Sequence, residues 1–122
     1  MICDDQTAFR QLVAIVLGLE SGIEVVGEAG NGREAIALAT RLQPNVLLLD
    51  VAMPEMDGLE ALPLLREASP ETRIVMLTGV TATSVRERAA AAGASAFIEK
   101  GIDITDLGDR IVEICRGPQS TV

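Results

Sequence analysis

The stretch Val46-Leu47-Leu48-Leu49-Asp50 carries four apolar residues in a row and closes on an acid. A run without alternation reads as a strand covered on both faces, the situation of a parallel sheet held between two helix layers. Ile74-Val75-Met76-Leu77-Thr78 repeats the pattern and closes on a hydroxyl. Working outward, the apolar period switches between strand and helix along the whole chain. Gln6 to Leu19 places Phe9, Leu12, Val13, Val16 and Leu17 on a helical stripe, and Glu24 to Glu28 is a short β-branched run. Asn31 to Leu42 is helical again, with Ala35, Ile36, Leu38, Ala39 and Leu42 on one side and Pro44 marking its end. A third helix opens at Asp57, an N-cap with Glu60 as capping-box partner, and Pro63 is expected to kink it. An alanine-rich helix from about Ser84 to Ala92, a strand around Ser95 to Ile98 and an amphipathic helix from Asp103 to Cys115 follow. With Met1-Ile2-Cys3 as the first strand, the reading is α/β: a three-layer, five-stranded parallel sheet with five helices. Residues 1–116 form one domain, and 117–122 read as a tail or the start of a linker.

The 122 residues are 48% hydrophobic and 23% charged, enough for a core that needs no disulfide. Eighteen acids against ten basic residues give a net charge of −8 without any histidine. That balance argues against direct nucleic-acid binding and against an anionic membrane. Missing histidine removes His-ligated zinc, Ser-His-Asp and Cys-His nucleophiles, and a phosphohistidine relay on this chain. Cys3 and Cys115 lack C-x-x-C spacing and read as two small buried residues of a reducing cytosol. The opening residues run into charge at once, unlike a signal peptide, and no apolar run is long enough to span a bilayer. Cytoplasm is the expected location.

Ligands of parallel α/β sheets bind outside the carboxyl ends of the strands. Strand one delivers Asp4-Asp5 there, strand three Asp50, strand four Thr78-Gly79 and strand five Glu99-Lys100. Clustered acids on apolar strands repel each other and desolvate at a cost unless a cation offsets them. Oxygen-only ligands point to a hard ion that keeps several waters, which suits Mg²⁺ better than Ca²⁺. Lys100 stands out as the only lysine beside nine arginines, a compact point charge. Carboxylate, Mg²⁺, ammonium and hydroxyl together are the parts that move a phosphoryl group onto an aspartate. Asp50, ending the central strand, is the candidate phosphoacceptor, and Asp4-Asp5 serve the metal.

These residues closely resemble the receiver domain of two-component response regulators, from Met1 to about Arg116. The acidic pair resembles Asp4-Asp5, the phosphoacceptor stretch Leu49 to Gly58, the switch hydroxyl Thr78 and the lysine Lys100. The resemblance implies a flavodoxin-like sheet of order 2-1-3-4-5. It implies that Asp5, Asp50 and the backbone carbonyl of Ala52 bind Mg²⁺ with Asp4 helping through water, that Thr78 and Lys100 grip the phosphoryl group, and that Phe97 is the aromatic switch. It further implies a sensor histidine kinase as donor and a regulatory phosphoacceptor rather than an enzyme. A homodimer through helix 4, strand 5 and helix 5 is also implied, on a surface expected to include Val85, Arg88, Ala89, Ala92, Ile102, Leu107 and Arg110. The run Ile23 to Gly32 is similar to receivers that precede a LuxR-type helix-turn-helix domain.

Four departures carry expectations of their own. Three residues before the acids are short for a central strand of about five or six, which predicts an upstream piece of strand one. Gly101 stands where the family has proline, loosening the turn into the last helix. Ala52 and Val80, two residues beyond Asp50 and Thr78, cannot orient an attacking water, which predicts slow self-dephosphorylation. Nothing after Arg116 reads as an output domain, leaving a stand-alone receiver or a fragment as alternatives.

Plainer readings compete at several positions. Asp4 or Asp5 could cap the first helix, Asp57-Gly58 reads as a turn and helix start, and Phe97 is as well explained by a buried strand. Arg10, Arg33, Arg41, Arg66, Arg73, Arg86, Arg88, Arg110 and Arg116 read as helix-surface charges. Gly30-Asn31-Gly32-Arg33-Glu34-Ala35 fits G-x-G-x-x-A, with Asp50 about 20 residues on, so a dinucleotide site using Gly30, Gly32 and Asp50 is a rival. That rival leaves Asp4, Asp5, Thr78 and Lys100 without a task. A non-phosphorylated pseudo-receiver acting as an interaction module is the other alternative.

Overall fold

The computed structural model describes residues 1–79, 83–101 and 103–116. Ten elements alternate along them: β1 (Ile2–Cys3), α1 (Thr7–Gly18), β2 (Glu28–Ala29), α2 (Gly32–Leu42), β3 (Val46–Asp50), α3 (Gly58–Ala68), β4 (Arg73–Thr78), α4 (Thr83–Ala91), β5 (Ala96–Glu99) and α5 (Ile104–Arg116). The strands form one sheet in the order β2-β1-β3-β4-β5, and every neighbouring pair is parallel. The flavodoxin-like order expected from the resemblance is the order observed.

The unbroken apolar runs are explained by the two faces of the sheet. Successive side chains of a strand point to opposite faces. Leu47, Leu49, Ile74 and Met76 pack with Ala35, Ala39, Leu62, Leu65 and Ala89 of α2, α3 and α4. Leu48, Val75, Leu77 and Ile98 pack with Val13 and Leu17 of α1 and Leu107 and Ile111 of α5. Both faces are covered, so both sets of alternating residues must be apolar.

Helix starts follow local chemistry. Asn31 accepts a bond from the Glu34 backbone N–H at 3.0 Å, while the Glu34 carboxylate accepts from the Gly30 N–H at 2.8 Å. At α3, Asp57 and Glu60 form the full capping box, with bonds of 2.8 and 3.1 Å. The helix then runs through Pro63 to Ala68 without interruption. Gly58 has to be glycine, because a Cβ there would lie 2.2 Å from the Asp50 carbonyl oxygen. The loop that returns from β3 is thereby pressed against the end of the strand.

Several sequence expectations are corrected. Strand two was expected over Glu24 to Glu28, yet β2 is only Glu28–Ala29. Its one neighbour is β1, whose pairing begins at Ile2 opposite Glu28, so residues 24–26 have no strand opposite them and Gly27 gives β1 only its carbonyl, to the Ile2 N–H. Arg73 is no helix-surface charge: it opens β4 and donates to the Ile114 and Cys115 carbonyls at 2.8 and 3.3 Å, satisfying the end of α5. Ala89 and Leu107, expected on the outer surface, are 0% and 1% exposed and belong to the core. Ile102, Val80 and residues 117–122 lie outside the described residues. Among the described residues no helix is long and apolar enough to cross a membrane.

Candidate functional site

Parallel topology brings the carboxyl ends of the strands to one edge of the sheet. There the structure gathers Asp4 and Asp5 after β1 and Asp50 at the end of β3, with a carboxylate oxygen of each within 4.8 Å of the others. Asp4 is fully buried and Asp50 is 4% exposed, whereas Asp5 faces solvent. Lys100, the residue after β5, donates to Asp4 at 2.8 Å and lies 3.5 Å from an Asp50 oxygen. Its backbone N–H bonds the Thr78 carbonyl at 2.8 Å, tying the lysine to the last residue of β4. Thr78 is 2% exposed and sits one residue past Leu77, the register partner of Asp50.

One ammonium facing three carboxylates leaves an excess of negative charge in a partly desolvated place. Burial first, and the neighbouring Asp4 second, push the Asp50 carboxyl up to about 6, against the opposing pull of Lys100 and of the Ala52 backbone N–H. The same environment pushes the adjacent Cys3 thiol up to about 12. Its sulfur is buried 3.5 Å from the Met53 sulfur, and neither Cys3 nor Cys115 is in a disulfide. The donor set therefore fits a divalent cation of hard character: oxygens only, two of three carboxylates buried, a net deficit of positive charge.

Asp4 also tests the capping reading. The N-cap of α1 is Gln6, which makes no side-chain capping bond, and Asp4 instead accepts from the Gln6 N–H at 2.8 Å. Phe97 does not reach the acids. It lies within β5 opposite Met76, half-buried against the α2–α4 side of the core, with the Arg86 guanidinium 4.9 Å from its ring centroid.

Two residues at the edge escaped the sequence reading. Phe9 was assigned to the core stripe of α1, yet the Lys100 ammonium sits 4.5 Å from its ring centroid. Arg10, read as a surface charge, donates to the Asp4 carbonyl and pairs with Glu28 at 3.0 Å. The available signal was position: α1 starts two residues after Asp5, and helical side chains lean toward the N-terminus, back over the edge.

The dinucleotide rival fails on topology. Gly30 and Gly32 follow β2 at the sheet margin, β1 separates them from β3 and Asp50, and the Glu34 carboxylate already occupies the Gly30 N–H.

Comparison with known proteins identifies the family. The model of the response regulator receiver domain family matches residues 1–112. The response regulator protein VraR of Staphylococcus aureus is 35% identical over 117 residues, 96% of this chain and 56% of its own length. The chain thus spans little more than half of the curated relatives it matches. Among solved structures, a LuxR-family two-component response regulator from Aurantimonas superposes with a TM-score of 0.87 at 27% identity, covering 99% of this chain and 86% of its own. The CheY of Borrelia burgdorferi, solved in a complex with CheX, BeF3 and Mg²⁺, gives 0.84 at 25% identity over 93% and 86% of the two chains. With the family model spanning most of the chain and the sheet order that of its solved relatives, the chain belongs to the response regulator receiver domain family.

Proposed function

We propose that this receiver is a phosphorylation switch whose phosphoacceptor is Asp50. The observation that carries the reading is the meeting of Asp4, Asp5 and Asp50 within 4.8 Å, with Lys100 at 2.8 Å from Asp4 and 3.5 Å from Asp50. An Asp50 oxygen forms the new bond to phosphorus while the bond to the donor's nitrogen breaks, and the leaving imidazole of a histidine kinase takes up a proton. Lys100 offers its ammonium to the phosphoryl oxygens, and the Thr78 hydroxyl turns toward them. Mg²⁺, when bound, neutralises charge on those oxygens. Asp5, Asp50 and the Ala52 carbonyl would hold it, with Asp4 acting through water. The Borrelia complex, with BeF3 and Mg²⁺ on a related fold, supports this assignment.

Phosphorylation then changes the population of the surface formed by α4, β5 and α5, with Phe97 as the aromatic that follows Thr78. That surface is the proposed site of a homodimer. Similarity to LuxR-family relatives supports a role for the switch in transcription regulation, and we take it to act in the cytoplasm with any DNA contact made outside this domain.

The test is intact mass after incubation with a small acyl-phosphate donor, with and without Mg²⁺, on the wild type and on Asp50→Asn. One phosphoryl group gained only with Mg²⁺, and only by the wild type, is the expected result. No gain by the wild type would leave the pseudo-receiver reading in its place.

A further inference from the structure

Lys100 reaches the acidic edge on a flexible four-carbon stem, which by itself fixes no position for the ammonium. The ammonium faces two carboxylates, Asp4 at 2.8 Å and Asp50 at 3.5 Å, and a neighbour of another kind. In the first turn of α1, the Phe9 ring stands with its centroid 4.5 Å from that ammonium. At this distance the negative face of an aromatic ring attracts a cation, and more strongly where water is excluded. The lysine side chain is only 16% exposed.

Phe9 also packs on the core between the sheet and helices α1 and α5. That place calls for an apolar group but not for an aromatic face. The other cation in this part of α1, Arg10, is committed to the Asp4 carbonyl and to Glu28. The ring is thus left to the lysine.

The partners of Lys100 differ once the acids have other work. In the function proposed above, on which this inference rests, Asp5 and Asp50 hold Mg²⁺, Asp4 is drawn to it through water, and Asp50 takes the phosphoryl group. A carboxylate shared with a second cation holds an ammonium less well, because the two positive charges repel. The ring is neutral, and a hard ion that takes oxygen ligands does not compete for it.

We propose that Phe9 is a positioning residue whose ring keeps the Lys100 ammonium at the carboxyl edge, beside Asp50, when the acids turn to the metal. It acts on phosphoryl transfer through Lys100.

Because Lys100 is the only lysine, protein made with isotopically labelled lysine gives a single ε-methylene NMR signal. Wild type, Phe9→Tyr and Phe9→Leu are compared with and without saturating Mg²⁺. In wild type and Phe9→Tyr the signal is expected upfield of a solvated lysine, under the ring current, and to stay there when Mg²⁺ is added. In Phe9→Leu the upfield displacement is expected to be absent. Phosphorylation by a small acyl-phosphate donor is expected to slow about fivefold in Phe9→Leu and to recover in Phe9→Tyr, with Tm of both variants within a few degrees of wild type. A wild-type signal at the solvated position, one that moves there on adding Mg²⁺, or equal phosphorylation rates in the three proteins overturns the proposal. If the wild type gains no phosphoryl group at all, the phosphoacceptor reading fails instead, and the position of the lysine signal with Mg²⁺ decides whether the ring holds the ammonium.

Discussion

Lys100 pairs more closely with Asp4 than with Asp50: its ammonium is 2.8 Å from a fully buried Asp4 oxygen and 3.5 Å from Asp50. The lysine is thereby parked beside the candidate phosphoacceptor, within a short movement of whatever Asp50 carries. It is also the cation that offsets the buried part of the acidic cluster.

Removing it exposes that dependence. Lys100→Met leaves Asp4 and Asp50 without their ammonium, and breaking a buried pair from one side costs about 3–5 kcal/mol. Urea unfolding at pH 7 is expected to show a loss of this order, partly recovered by millimolar Mg²⁺. A loss that is small and insensitive to Mg²⁺ would contradict the charge balance described here.

Asp50→Asn should do the reverse. Folding raises the Asp50 pKa from the ordinary 3.8 to about 6, so the folded state holds the proton more tightly than the unfolded state. The stability linked to that proton is complete below the unfolded value and is lost as pH climbs through the folded one. The amide variant avoids the loss. It should be more stable than wild type by about 3 kcal/mol at pH 7, with the gap closing toward pH 4. Stability curves of the two proteins against pH, without divalent ions, provide the check.

Gly58→Ala is expected to be severe. The added methyl would meet the Asp50 carbonyl oxygen at 2.2 Å, and backbone cannot give way as a flexible side chain does. A cost above about 3 kcal/mol, with loss of phosphorylation, is the predicted outcome. Gly101→Ala, where nothing lies within 4 Å, is the control and should stay within about 0.5 kcal/mol.

The phosphoryl group on Asp50 should be long-lived. Ala52, exposed in the loop after β3, carries a methyl that can neither donate to nor accept from a water. The isolated phosphoprotein is expected to persist for minutes or longer, and Ala52→Asn to shorten its life about tenfold. Decay within seconds in the wild type would count against this.

Legibility followed contrast. β3 and β4 were readable because residues buried on both faces leave no polar interruption, and their ends named Asp50 and Thr78. The acidic edge was readable because parallel topology alone carries Asp4, Asp5, Asp50 and Lys100 to one side. β2 was misjudged because its length is set by β1, its neighbour in the sheet but remote in sequence, Ile2 pairing with Glu28, so that no local pattern records it. Ala89 was misplaced because three alanines beside alternating charges give α4 no apolar stripe from which to phase its inner face. Phe9 and Arg10 were missed because a helical stripe says which side is buried, not which neighbour lies beyond the first turn.

The two phenylalanines are the chain's whole aromatic complement, and each lies beside a cation: Phe9 with Lys100 at the acidic edge, Phe97 with Arg86 on the α4 side of β5. A protein made with fluorinated phenylalanine would accordingly show a two-line spectrum. One line reports the arrival of charge at the carboxylates and the other the response of the distant helix, so cause and effect can be followed separately in a single titration.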